Sequence, residues 1–230
     1  MIIGILQPGY LPWLGFFEQL YRSDIFVIYD DVQYDKNGWR NRNRIKTPNG
    51  IQWLTVPVLL KGDSKSLIRD VKINNQESWR KKHCQSIKTN YSKSKFYNHY
   101  FYLFEKVYSK EWNFLIDLDM ELIYVLCDLL GLKRKIVYSS DLGVQGDKNE
   151  RLIKICKKFG ASIFYEGHAG KDYIDKKVFI ESGIEVKFQD YRHPEYNQLY
   201  GDFVPYLSVI DLLFNEGDSS LKILTKEQEL

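Results

Sequence analysis

Two short aliphatic runs near the start of the chain constrain its fold more than any other feature. Ile2–Leu6 is followed at once by Gln7-Pro8-Gly9, and residues 25–29 (Ile-Phe-Val-Ile-Tyr) end in Asp30-Asp31. A run that is apolar at successive positions, rather than at alternate ones, is the pattern of a strand covered on both faces, as in a parallel sheet. Between the two runs, residues 13–22 carry apolar side chains at helical spacing, and Pro12 is placed for a first turn. Strand, helix and strand in this order predict a βαβ unit, and with it an α/β fold with a Rossmann-like parallel sheet core.

The rest of the chain extends that plan. Residues 39–45 lead into Thr47-Pro48-Asn49-Gly50, and residues 52–58 are β-rich, so a hairpin is expected to leave the βαβ unit. From about 76 to 131 the apolar spacing is helical and stops at Leu130-Gly131, which predicts a mainly helical insertion. A second strand-helix-strand rhythm follows, with strands at 135–138, 162–165 and 186–189, and a helix at 149–159. A final helix is expected at 208–215, ahead of a polar tail. With 230 residues and no low-complexity linker, the chain is read as a single α/β domain spanning 1–230.

Charge and cysteine content narrow the function classes. The formal net charge is +3 with 27% charged residues, a balance that argues against wholesale nucleic-acid binding. Cys84, Cys127 and Cys156 are odd in number and lack metal-type spacing, which suits reduced, buried thiols. The N-terminal run has no basic flank or small-residue cleavage site, and no apolar run approaches the ~18 residues that span a bilayer. A cytoplasmic protein without a membrane span is expected, with oligomerisation left open. Neither GxSxG, P-loop, HExxH nor CxxC patterns occur, and no metal site is expected.

Three groups of residues are candidates for chemistry. Asp30 and Asp31 stand at a strand end, where a carboxylate can hold a ribose hydroxyl, hold a divalent cation or act as general base, and Gln7, Tyr10 and Gln33 flank them. In Trp39-Arg40-Asn41-Arg42-Asn43-Arg44, extended backbone turns three guanidinium groups to one side and two amides to the other. Guanidinium forks suit a diphosphate or carboxylate, with RNA as the competing ligand because aromatics beside arginines stack bases. The run Tyr165-Glu166-Gly167-His168-Ala169-Gly170-Lys171-Asp172-Tyr173 follows a predicted strand and contains a histidine able to exchange protons near neutral pH. His83 is a minor candidate; His99 and His193 are read as structural or surface residues.

The N-terminal run from Ile5 through Gln7-Pro8-Gly9-Tyr10 to Phe17 resembles the WbqC-like family. Asp30-Asp31-Val32-Gln33, Trp39-Arg40-Asn41-Arg42-Asn43, Tyr165-Glu166-Gly167, Gly170-Lys171-Asp172-Tyr173, Tyr196-Asn197-Gln198 and residues 207–215 continue the likeness over nearly the whole chain. The resemblance implies a bacterial cytosolic protein of surface-polysaccharide assembly, such as O-antigen or capsule, that transfers an acyl or aminoacyl group to an amino sugar. More distantly, the strand, Pro-containing loop and helix are similar to the nucleotidylyltransferases that carry a His-x-Gly-His motif. The corresponding stretch here is Trp13-Leu14-Gly15-Phe16, without either histidine.

Together these lead to the expectation of an N-acyl or aminoacyl transferase forming an amide on a nucleotide-linked amino sugar. Arg40 and Arg42 would hold the diphosphate, with Gln7, Tyr10, Asp30 and Gln33 orienting sugar or base. Trp39, Asn41, Asn43, Tyr165, Tyr173 and Gln198 complete the expected binding set. Asp31 or His168 would take the amine proton, and Lys171 or backbone N–H groups would stabilise the carbonyl oxygen. The acyl donor is open among a coenzyme A thioester, an aminoacyl-tRNA and an amino acid with ATP, and no cofactor is assigned. The alternatives are a non-catalytic nucleotide-sugar or RNA-binding module, and an ATP-dependent nucleotidylyltransferase-like enzyme.

Overall fold

The computed structural model describes residues 1–36, 38–60 and 66–226. It opens with β1 (Ile2–Leu6), α1 (Leu14–Arg22) and β2 (Ile25–Ile28), and the two strands pair in parallel with Ile3 opposite Ile25 and Leu6 opposite Ile28. Next come the antiparallel hairpin of β3 (Arg42–Thr47) and β4 (Gly50–Thr55), and a short pair of β5 (Val58–Leu59) with β6 (Lys72–Ile73). The stretch expected to be helical holds α2 (Trp79–Tyr91), α3 (Tyr97–Ser109) and α4 (Leu115–Leu130), the last capped by Gly131. The second half alternates β7 (Lys135–Tyr138), α5 (Lys148–Lys158), β8 (Ile163–Glu166), α6 (Lys176–Glu181) and β9 (Glu185–Phe188). It closes with α7 (Val209–Glu216) and α8 (Ser220–Thr225).

The central sheet has the order β7-β2-β1-β8-β9 with every pair parallel. The chain builds outward from β1 through β2 to β7, then reverses and adds β8 and β9 on the other side. That reversal, between β1 and β8, opens the crevice in which sheets of this kind bind ligands. An α/β protein with a Rossmann-like parallel core is therefore what the sequence folds into.

Period-two alternation divides the strand side chains between two cores. Ile3, Ile5, Ile25, Val27 and Phe164 pack with Ile155 of α5 and Phe179 of α6. Phe26 and Ile28 point to the opposite face, onto Phe16, Phe17 and Leu20 of α1 and on into the α2–α4 and α7 cluster.

The differences from expectation are local. Pro12 lies before α1 rather than in its first turn, and Trp13 takes the cap position without a side-chain cap bond. The β5–β6 pair is too short for a periodic signal. Where a polar tail was expected beyond residue 215, α8 forms because Leu224 is completely buried; residues 227–230 lie outside the described structure.

Candidate functional site

The loop leaving β1 is held against the segment that enters β3. Tyr10 N–H donates to the Arg40 carbonyl at 3.0 Å. A Cβ on residue 9 would stand 2.9 Å from the Trp39 carbonyl oxygen, so Gly9 is what lets the two segments close. Asn43, buried under the loop, donates from Nδ2 to the carbonyls of Leu11 (2.7 Å) and Tyr10 (3.3 Å). Leu11 needs this support: its φ of +45° puts a bulky side chain in left-handed backbone, a strain of about 1–3 kcal/mol.

Between these segments lies a cavity of about 480 Å³. Leu6, Gln7 and Gly9 line it from the end of β1, Trp13 and Phe16 from the start of α1, and Trp39, Arg40, Asn43 and Arg44 from the arm leading into β3. Tyr206 closes the far side, again in left-handed backbone (φ +58°). A Cβ at Gly15 would fall 2.2 Å from the Trp13 indole, so glycine there leaves room for the ring that forms a wall.

Arg40 and Arg44 supply the polarity. Arg40 Nη1 donates to the carbonyls of Gln7 and Pro8, each at 2.9 Å, while its buried Nε has no hydrogen-bond partner among the described residues. Burial pulls its pKa down, and the nearby Asp119 and Asp35 charges oppose that shift. Arg44 Nη2 donates to the Tyr206 carbonyl at 2.8 Å, and its buried Nε is likewise without a partner among the described residues. Its guanidinium lies 5.2 Å from the Trp39 ring centre and 5.7 Å from that of Trp53. Aromatic walls with two guanidiniums, each keeping an unmet donor, suit an anion joined to a planar or apolar group.

The alternation expected of this arm holds. Arg40, Arg42 and Arg44 are half-buried on one side, Arg42 lying 5.0 Å from the Trp53 ring centre, while Asn41 and Asn43 are buried on the other. Asn41 Nδ2 donates to the Val56 carbonyl at 2.8 Å and so fastens the arm to the strand end.

Other predicted residues lie apart from the cavity. Tyr10 is completely buried, its hydroxyl bonded to His83 Nδ1 at 2.8 Å and to the Tyr108 hydroxyl. His83 is buried with it and its pKa is pulled down by desolvation to about 4, so the ring is neutral. Asp30 accepts from Ser139 Oγ (3.0 Å), Ser140 N–H (3.0 Å) and Ser140 Oγ (2.7 Å); Asp31 accepts from Ser139 Oγ and pairs with Arg151. The acidic pair thus ties β2 to the turn after β7, on the side of β1 away from the strand-order reversal. Asp30 and Asp31 are not among the residues lining the cavity that Gln7 lines. Gln33 is exposed and bridges to Leu67.

The glycine-containing run forms the end of β8 and a 3-10 turn at His168–Asp172. His168 and Lys171 are exposed, 3.3 Å apart at Nδ1 and Nζ, and Tyr165 is buried with its hydroxyl on both Glu18 carboxylate oxygens at 3.1 Å. Gln198 accepts from Lys46 Nζ at 3.1 Å and spans back to Val204 through both amide atoms, bracing the loop that carries Tyr206.

Three features were missed at the level of sequence. Trp13 and Phe16, at the two histidine positions of the His-x-Gly-His resemblance, line the cavity. Glu166, at the end of β8, is 4% exposed; burial lifts its pKa to about 7, against the Gly167 N–H (2.8 Å) and Tyr173 hydroxyl that stabilise the charge. Asp119 of α4 is 1% exposed, its pKa raised well above the ordinary carboxylate range by burial, and neither oxygen has a hydrogen-bond partner among the described residues. Tyr165-Glu166 at a strand end was a visible signal for Glu166; Asp119 sits on a helical face like any surface acid.

The model of the WbqC-like protein family matches residues 7–223, which takes in the cavity lining apart from Leu6, the arm and the β8 turn. The chain belongs to that family. An uncharacterized protein of Mycobacterium tuberculosis, Rv1507c, is similar at 37% identity over 217 residues, 94% of each chain. No solved structure matches. Among the described residues of this WbqC-like chain, no helix is long and apolar enough to cross a membrane.

Proposed function

We propose that the cavity binds a nucleotide-linked amino sugar and that this cytosolic WbqC-like chain transfers an acyl or aminoacyl group to its amine, as a step in bacterial surface-polysaccharide assembly. The observation that carries the binding half is the pair Arg40 and Arg44, each with a buried Nε donor unmet among the described residues, at the edge of a cavity walled by Trp13, Phe16 and Trp39. Such donors take phosphate oxygens, and the start of α1 at the same wall adds the positive end of a helix dipole. The transfer half rests on the family likeness.

In the transfer, the sugar nitrogen attacks the acyl carbonyl and gives up a proton. His168, on the turn after β8, is the base in this scheme, with Lys171 next to it to support the developing oxyanion. Asp31, the other candidate, is committed to Ser139 and Arg151 and holds the fold. One observation favours a second reading, a binding module without catalysis: no carboxylate, histidine or cysteine is among the residues lining the cavity.

Calorimetry with nucleoside diphosphates and with amino-sugar nucleotides tests binding, with R40M expected to abolish it. Amide product is then sought with each donor class in turn. Binding without product from any donor supports the module, and absence of nucleotide binding sinks both readings.

A further inference from the structure

The aromatic wall of the cavity does not stop at its lining. In the hairpin, Arg44 of β3 is paired with Trp53 of β4, and Arg42 with Thr55. Cross-strand partners share a face, and the period of two turns Asn43 and Leu54 to the other. Asn43 and Leu54 are both buried, so Arg42, Arg44 and Trp53 stand on the outer face of the hairpin. Trp39 reaches the same face from the arm. Its ring centre lies 5.1 Å from that of Trp53, and the Arg44 guanidinium lies 5.2 Å from the first ring and 5.7 Å from the second. Arg42 adds another guanidinium 5.0 Å from Trp53.

Trp39 and Arg44 line the cavity, whereas Trp53 and Arg42 are not among its lining residues. The four side chains therefore make one surface that begins in the cavity and continues past it. Trp39 and Trp53 remain 43% and 45% exposed. A single apolar side chain in water is ordinary on a protein surface; two touching indoles held beside guanidiniums are not. The backbone under both rings is set in advance. Tyr10 N–H on the Arg40 carbonyl and Asn41 Nδ2 on the Val56 carbonyl fasten the arm that carries Trp39, and the strand ladder fastens Trp53. A surface fixed in this way loses little freedom when a ligand settles on it.

We infer that the Trp39 and Trp53 pair is a stacking subsite for the nucleobase of the bound nucleotide, with the diphosphate at Arg40 and Arg44 and the amino sugar in the cavity. The inference rests on the nucleotide-sugar reading given above and fixes which way round the molecule lies. Every base has a π-face, and an aromatic plane beside a guanidinium holds that face without reading the base's edge. A pyranose depends on directional hydrogen bonds to its hydroxyls, which the face of an indole does not offer. Gln7, on the cavity side, carries an amide that both donates and accepts. Arg44 belongs to both surfaces, which is where the phosphates that join the two ends of the molecule have to lie.

Calorimetry on the full-length wild type, W53A and W53F tests the orientation, with uridine diphosphate, inorganic pyrophosphate and glucosamine 1-phosphate as separate probes. Wild type should bind uridine diphosphate more tightly than pyrophosphate. W53A should lose about tenfold in affinity for uridine diphosphate, the scale of one base stacked on one ring. Its affinities for pyrophosphate and glucosamine 1-phosphate should match wild type, because Trp53 lies outside the cavity lining. Pyrophosphate binding at the wild-type level also shows that W53A keeps its fold. W53F returns a ring face and should recover most of the loss. Uridine diphosphate affinity unchanged in W53A overturns the inference and leaves the cavity reading standing. So does a W53A that loses glucosamine 1-phosphate and keeps the nucleotide, since the sugar would then be the group on the indoles. Failure of wild type to bind any of the three probes refutes the cavity reading, and the subsite with it.

Discussion

Replacing Glu166 by glutamine should change how stability depends on pH. The carboxyl is 4% exposed, and burial lifts its pKa from the ordinary 4.5 to about 7. A raised acid pKa means that the folded chain holds the proton more tightly than the unfolded chain. Stability from this group is therefore complete below about 4.5, falls as pH rises, and is gone above about 7. The shift corresponds to about 3 kcal/mol. Glutamine keeps an oxygen for the Gly167 N–H and the Tyr173 hydroxyl and cannot ionise. Urea denaturation of E166Q and wild type should give nearly equal stabilities at about pH 5. At about pH 8 the variant should be more stable by about 2 kcal/mol, the full gain being trimmed by the amide group that must find its own partner. Parallel pH profiles for the two proteins, or a variant that is weaker at the higher pH, would show that the buried carboxyl is not what resists ionisation.

Three further perturbations probe the cavity and its supports. R40K keeps the charge but loses the planar guanidinium and its unmet Nε donor, so calorimetry should show nucleoside diphosphate affinity down by about tenfold. Asp119 and Arg40 are each the other's opposing charge in the interior, so a double-mutant cycle of D119N with R40M, read by urea denaturation, should show a coupling of about 1–2 kcal/mol and R40M less damaging beside D119N. S139A removes the hydroxyl shared by Asp30 and Asp31 and should cost about 1–3 kcal/mol in the same assay while nucleotide affinity in the cavity stays at the wild-type level.

The sheet was legible because its strands obey one rule. β1 and β2 are buried on both faces, and residues that satisfy two cores at once leave a continuous apolar run in the sequence. The hairpin was legible for the same local reason, the Pro48-Asn49 turn between two β-rich arms. Strand order was not legible. Nothing local to Ile163–Glu166 says that it pairs with β1 rather than beyond β7, because that choice is made by the packing of α1 against β8 through Glu18, Gln19 and Tyr165. Without the order, the reversal point could not be located.

The acidic pair shows the same limit at the site. Two carboxylates at a strand end have the same sequence pattern whether they meet a ligand or a protein donor. Here Ser139, Ser140 and Arg151 come from residues more than a hundred positions away and satisfy them within the fold. The arginines present the opposite case. Their alternation with asparagine could be read locally, and the buried amides of Asn41 and Asn43 are what fix the backbone so that Arg40 and Arg44 face the cavity. A donor left unmet in an interior is costly, about 1–3 kcal/mol, and Arg40 and Arg44 each keep one at the edge of the cavity, which also takes in strained Tyr206. A phosphate on those two donors would recover that cost, which is the energetic ground for the binding proposed at this cavity, independent of which group the bound molecule goes on to receive.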